Sequence, residues 1–113
     1  MPFINTKVNT KIEKEKELII KEKLGQAINL LGKNEGWLMI NFEEDSHLYF
    51  KGQNDSLIAY VEIKLFGNAS DDMCNRMTEE VTKIISEELS IDKSNIYVSY
   101  YPTDKWGWNG SNF

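Results

Sequence analysis

LIAYVEIKLF (Leu57 to Phe66) decides how this chain folds. Its apolar residues Leu57, Ala59, Val61, Ile63 and Leu65 share one parity, so they point to one face of a strand. A few residues later Ser70 is placed to cap a helix, with Asp71 and Asp72 set against the positive end of its dipole. Met73, Met77, Val81, Ile84 and Ile85 then fall on one helical face. NIYVSYY (Asn95 to Tyr101) reads as a last long strand that Pro102 ends, ahead of an aromatic, glycine-containing tail, KWGWNGSNF. The second half of the chain is therefore strand, helix, strand.

The first half repeats that order without repeating the letters. Phe3 to Val8 reads as a strand. Thr10-Lys11-Ile12-Glu13 fits a capping box, in which the Thr and Glu side chains satisfy free N–H groups at a helix start. Ile20, Leu24, Ala27, Ile28 and Leu31 recur at spacings of three and four, and Gly32 is a suitable stop because glycine enters the left-handed region at little cost. WLMINF (Trp37 to Phe42) is a continuous apolar run, as in a strand buried on both faces, and HLYF (His47 to Phe50) reads as a short edge strand. Two strand–helix–strand units with right-handed crossovers predict one α+β domain over residues 1–113, a βαββαβ order with two helices on one face of a four-stranded sheet. The other face keeps bulk. Trp37 and Met39 oppose Leu38 and Ile40 in parity, and Tyr97 and Tyr101 oppose Ile96 and Val98, so the sheet is expected to meet further copies of the chain.

Composition excludes several classes of function. The chain has 113 residues, 41% hydrophobic and 27% charged, with 13 basic against 18 acidic side chains. A net charge of -5 argues against nucleic acid as a partner. The run KIEKEKELIIKEK mixes both signs, as a solvated helix face does. Cys74 and His47 are each alone, so a disulfide framework, a metal site and a Cys–His or Ser–His–Asp site are not expected. No glycine-rich phosphate loop occurs, and LFGNASDD sets acids behind its one glycine. The carboxylates of Glu43-Glu44-Asp45 and Asp71-Asp72 read as turn and first-turn residues. No apolar stretch reaches the roughly 20 residues of a membrane helix, and the start lacks the pattern of a signal peptide. The expectation is a cytoplasmic protein with no membrane partner, in which the N-x-S matches at Asn54, Asn68 and Asn109 carry no weight.

MPFINTKV opens the chain, and Pro2 has two readings. Proline is tolerated as the first residue of a strand, because its missing donor costs little there. Once Met1 is removed, Pro2 is also a free secondary amine. An α-amine titrates near 7.7–8.0, roughly, and an apolar pocket lowers that value, which leaves a usable base at neutral pH.

Five stretches together carry a resemblance: MPFINTKV, LGK (Leu31 to Lys33), EIKLFG (Glu62 to Gly67), NIYVSYY and the ending WGWNGSNF (Trp106 to Phe113). Over its whole length the chain resembles the macrophage migration inhibitory factor family, within the tautomerase superfamily. The resemblance implies a homotrimer with a pocket at each subunit boundary. It implies Pro2 as the catalytic base, Lys33 as the holder of the substrate carboxylate or oxygen, a backbone contact at Ile63, and Tyr97 entering from the neighbouring subunit. Trp37, Trp106, Trp108 and Phe113 would form an aromatic wall. Ser99 stands where better-known members carry Asn, which shortens one polar contact of the pocket. Trp106 is bulkier than the aliphatic residue common there. The family's C-x-x-C is absent, with Ser56 and Ala59 in its places, so a thiol-oxidoreductase role is not implied.

The expected activity is keto–enol isomerisation of a small aromatic α-keto acid of the phenylpyruvate type, dopachrome-like substrates included, with no metal or organic cofactor. The alternative is a cytokine-like binding protein with vestigial catalysis, released without a signal peptide and meeting a host receptor. A third reading, isomerisation or decarboxylation of an unsaturated acid, calls for further acids and arginines, and Arg76 is the sole arginine.

Overall fold

The computed structural model describes residues 1–113. Its main elements are β1 (Pro2–Val8), α1 (Lys14–Ala27), β2 (Met39–Glu43), β3 (Ala59–Phe66), α2 (Asp71–Leu89) and β4 (Ile96–Thr103). Two short strands, β5 (Gly107–Trp108) and β6 (Ser111–Asn112), follow. The four long strands form one sheet in the order β2-β1-β3-β4. β1 runs parallel to β2 and β3 parallel to β4, each pair bridged by its helix, and the two units meet antiparallel along β1 and β3. The parity of LIAYVEIKLF is realised from Ala59 onward: Ala59, Val61, Ile63 and Leu65 are buried, with Ile4 and Val8 of β1 beside them. Ile20, Leu24 and Ala27 of α1 and Met77, Val81, Ile84 and Ile85 of α2 close over them in one core. Each such Ile, Leu, Val or Met side chain contributes about 1.5–3 kcal/mol by leaving water. Thr6 lies on the same face, fully buried, and its Oγ1 has no hydrogen-bond partner.

The helix ends differ from one another. Ser70 caps α2 as its position predicts, its Oγ accepting the Met73 N–H at 3.2 Å. The Thr10–Glu13 capping box does not form. Glu13 is the N-cap residue of α1 without a side-chain bond, and the Ile12 N–H is instead taken by Glu44 Oε2 at 2.8 Å, a carboxylate brought in from behind β2. α1 tightens into a 3-10 turn at Ile28–Leu31, which keeps Ile28 and Leu31 in the core, and Gly32 at φ +73° ends it in the left-handed region.

Four strand expectations are corrected. Trp37 is not in a strand: Glu35–Trp37 is a 3-10 turn started by Asn34, whose Oδ1 accepts the Gly36 N–H at 2.9 Å, and β2 begins only at Met39. β2 is not buried on both faces but is an edge strand with Met39 68% exposed. HLYF forms no strand, because Phe50 pairs only with Gln53 across a tight turn. At the other end β4 runs past Pro102 to Thr103; on an edge strand the missing donor of proline costs little.

The sheet face away from the helices is built in three rows. They read Met39–Phe3–Lys64–Tyr101, Asn41–Asn5–Glu62–Ser99 and Glu43–Lys7–Tyr60–Tyr97. Its middle is polar rather than semi-apolar. Asn41 Nδ2 donates to Asn5 Oδ1 at 2.8 Å, and Asn5 Nδ2 donates to Glu43 and Glu62 at 3.2 Å each. Lys7 lies 3.4 Å from Glu62.

Candidate functional site

The ends of four separate segments meet beside Pro2. Pro2 is buried and in register with Leu65, so the start of β1 lies against the end of β3. The next residue, Phe66, donates its N–H to the Met1 carbonyl at 3.0 Å. Its own carbonyl accepts from Lys33 Nζ, also at 3.0 Å. Lys33 gets there because Gly32, in the left-handed region, turns the chain off the end of the helix toward the sheet. One residue of β3, Phe66, thus holds the N-terminal residue with its N–H and the lysine with its carbonyl. Lysine has three N–H donors, and the Phe66 carbonyl uses one.

The α-amine here is that of Met1. Burial pushes it below its ordinary value, and the Lys33 ammonium nearby adds to the shift in the same direction. Both effects disfavour the charged amine.

An aromatic wall rises beside this end of the sheet. Asn109 and Gly110, at φ +53° and +87°, make the tight turn that folds β6 back on β5. The Phe113 N–H then donates to the Trp106 carbonyl at 3.0 Å. This places the Phe113 ring 5.4 Å from Phe66 and parallel to Trp108, with centroids 6.5 Å apart. Trp37 meets Trp108 edge to face at 5.1 Å. Trp37, Trp108 and Phe113 each keep about half their surface in water, so the wall is built on one side only. Trp106 is half-buried and joins the wall through its backbone bond to Phe113.

Pro2, Lys33, Trp37, Trp106, Trp108 and Phe113 are therefore gathered within one protomer, whereas three expected site residues are not. Ile63 is fully buried in the core, and its backbone lies inside the sheet in register with Ile4 and Tyr100. The β3 residue whose backbone does face the site is Phe66. EIKLFG contained the signal, because the strand end sits just before Gly67. Ser99 and Tyr97 stand in register with Asn5 and Lys7, by way of Glu62 and Tyr60. At about 3.3 Å per residue these rows lie roughly 10 and 16 Å along the sheet from Pro2. Ser99 is held by the Tyr60 hydroxyl at 2.7 Å and the Tyr101 hydroxyl at 3.3 Å. Tyr97 is 62% exposed, edge to face with Phe50 at 5.1 Å.

Other titratable groups lie away from the site. Arg76 pairs with Asp72 on the exposed side of α2. Cys74 is half-buried on the same helix, and burial, with Asp71 second, pushes its thiol up, away from reactivity. No three His, Cys, Asp or Glu side chains stand close enough together to hold a metal ion. No helix is long and apolar enough to cross a membrane.

Comparison with known proteins agrees with this architecture along the full chain. The family model described as macrophage migration inhibitory factor (MIF) matches residues 1–113. The macrophage migration inhibitory factor homolog of Brugia malayi is 24% identical, over 100% of this chain and 99% of its own. The crystal structure of Leishmania major MIF2 is 32% identical and superposes with a TM-score of 0.93, covering 100% of this chain and 97% of that one. A homologue from Prochlorococcus marinus is 28% identical with a TM-score of 0.86, over 98% of both chains. With its two helices on a mixed four-stranded sheet and its Met-Pro start at the strand end, the chain belongs to the macrophage migration inhibitory factor family, in the tautomerase superfamily.

Proposed function

We propose that this protein is a tautomerase that interconverts the keto and enol forms of phenylpyruvate-type α-keto acids, with Pro2 as its general base after removal of Met1. The observation that carries the reading is the convergence of the Met1 α-amine, held below its ordinary value next to Pro2, with the Lys33 ammonium and the Phe66 N–H and carbonyl beside one aromatic wall.

Removing Met1 does two things at once. It moves the free amine one residue along, to the ring nitrogen of Pro2, and it takes away the carbonyl to which the Phe66 N–H donates. A neutral secondary amine then stands beside an unpartnered N–H and a lysine. The amine takes a proton from the carbon next to the substrate carbonyl. The electron pair of that C–H bond becomes the C=C bond, and the carbonyl oxygen gains negative charge. Lys33, with two donors left, and the Phe66 N–H stabilise that oxygen, and donors preorganised for developing charge are commonly the largest contribution to such rates. The prolinium proton then passes to the oxygen and the enol leaves. Carbon has lost one proton, oxygen has gained one, and Pro2 is again neutral. Trp37, Trp108 and Phe113 offer flat apolar surface for the aromatic end of the substrate.

Members of this family are generally oligomers. In a homotrimer, Tyr97 and Ser99 of one copy reach the Pro2 site of the next, which supplies the wall that a single protomer leaves open. The test is the rate of phenylpyruvate enolisation, followed by absorbance, for Met1-processed protein and for its Pro2→Gly variant. Pro2→Gly is expected to lose 10²-fold or more, the usual order for a general base. Equal rates reject Pro2 as the base.

A further inference from the structure

Tyr97 differs from the other tyrosines of β3 and β4 in how it is held. Tyr60, Tyr100 and Tyr101 are fixed through their hydroxyls, by Ser99, by Thr78 with the Cys74 carbonyl, and by one another. Tyr97 projects into water and has the Phe50 ring against it, at 5.1 Å and 89°.

Phe50 is itself rigidly placed. Its N–H donates to the Gln53 carbonyl at 2.7 Å, and the Gln53 N–H returns a bond to the Phe50 carbonyl at 3.1 Å. Lys51 and Gly52 between them both have positive φ, +54° and +77°, the shape of a two-residue turn that leaves its flanks little freedom. Lys51 Nζ lies over the Phe50 ring, 5.3 Å from its centroid. The long loop that carries this turn is tied down at both ends. The Ser46 N–H donates to the Val8 carbonyl at 2.9 Å, and Asn9 binds both the Ile58 N–H, at 2.8 Å, and the Ser56 carbonyl, at 2.9 Å. Asn95, two residues before Tyr97, ties the same loop to β4 through the Leu57 carbonyl at 3.2 Å. A rigid turn thus sets one ring perpendicular to another whose hydroxyl has no hydrogen bond within the protomer.

We propose that Phe50 is the positioning residue of Tyr97: it sets the ring of Tyr97 at the angle at which Tyr97 closes the Pro2 site of a neighbouring copy. This rests on the reading of the Pro2 site given above. A free tyrosine ring loses rotamer freedom when substrate binds, and a braced ring has lost it already on folding. Such a brace acts on affinity. It leaves the proton transfer at Pro2 untouched.

The experiment is a comparison of KM, kcat and the pH profile for phenylpyruvate among wild type, Phe50→Ala, Phe50→Leu and Phe50→Tyr. Size-exclusion chromatography establishes that the variants keep their assembly, and Phe50→Leu serves if Phe50→Ala does not fold. Loss of an aromatic pair predicts a KM roughly two- to tenfold higher in Phe50→Ala and Phe50→Leu, with kcat and the pH limb unchanged. Phe50→Tyr keeps the ring edge and restores KM. In a Tyr97→Ala background, Phe50→Ala adds nothing. Binding is read separately in the Pro2→Gly background, as the Kd for phenylpyruvate from quenching of tryptophan fluorescence, so a failure of Pro2 as base does not mask the brace. There the same two- to tenfold weakening is expected on adding Phe50→Ala. An unchanged Kd, or an equal loss from Phe50→Ala with and without Tyr97, overturns the proposal.

Discussion

Replacing Lys33 by Met keeps the length of the side chain and deletes its charge and its donors. In the structure Nζ sits 3.0 Å from the Phe66 carbonyl, beside the α-amine whose ionisation it opposes. Two effects follow, and they separate. The first is on rate. Loss of one donor from a site that stabilises a developing oxyanion costs about 10²–10³ in kcat, or about 2.7–4 kcal/mol. Lys33 is only half-buried, so water partly replaces it, and the lower end, about 10²-fold, is expected. The second is on pH. The reaction needs the neutral amine, so the rate rises with pH through the amine's pKa and then levels. Lys33 disfavours the charged amine and holds that pKa down; its removal raises the pKa and moves the limb to higher pH. Burial is the larger cause of the shift at the Met1 amine, and the proposed reading carries both causes over, in direction, to the Pro2 amine of the processed chain. The assay is phenylpyruvate enolisation from pH 5 to 9, about the range an α-amine spans, on processed Lys33→Met protein. A loss of less than tenfold, or a limb displaced to lower pH, refutes the argument for Lys33.

Further outcomes follow from the same geometry. One alanine added ahead of Pro2 converts its nitrogen to an amide and returns a carbonyl to the Phe66 N–H, so activity falls by about 10²-fold or more; mass spectrometry of the intact chain fixes the start, and a retained rate contradicts the mechanism. Thr6→Val removes a fully buried hydroxyl without a partner, and urea unfolding is expected to show a gain of about 1 kcal/mol; a loss shows that Oγ1 is satisfied. Gly110→Val sets a branched side chain at φ +87°, unseats the turn between β5 and β6, and raises KM several-fold as Trp108 and Phe113 leave their places, with kcat less affected; an unchanged KM removes the wall from substrate binding.

Regular patterns were legible in the sequence wherever one element met the core alone. The parity of Ala59 to Leu65, the helical spacing of Ile20, Leu24 and Ala27, and the Ser70 cap each depend on neighbours close in sequence or on burial of a whole face. The readings that failed depended on a competitor from elsewhere. Thr10 lost its capping role to Glu44, 34 positions along. WLMINF has the pattern of one strand, yet Asn34 winds its first residue into a turn. The hairpin of the tail has its turn signal in Asn109-Gly110, but its strands hold only two residues each, too few for an alternating pattern to show. At the site, Pro2 is legible from the Met-Pro start as a candidate free amine, whereas Lys33 and the tail aromatics come through the family resemblance. Ile63 is one inward-facing residue among several, and only the register of β1 on β3 identifies Phe66 as the residue whose backbone N–H and carbonyl lie beside Pro2.

The exposed aromatics and the incomplete site have one physical solution in the proposed reading. Trp37, Trp108 and Phe113 line one side of the Pro2 site, and Tyr97 stands about 16 Å along the sheet, yet all four keep about half or more of their surface in water. Such side chains bury 150–250 Å² each, so covering the remaining half is worth roughly 2–3 kcal/mol per ring at about 25 cal/mol per Å². No rearrangement within one protomer can bring Tyr97 to that wall, because Tyr97 pairs with Tyr60 toward the opposite end of β3 from Phe66, on which the wall rests, and that register is locked by buried Ile4, Val61 and Ile63. A second copy can do so without moving any strand. The free energy that joins copies and the geometry that completes the site then come from the same rings. A substitution that weakens association, such as Trp108→Ser, therefore costs substrate affinity as well, even where Pro2 and Lys33 are untouched.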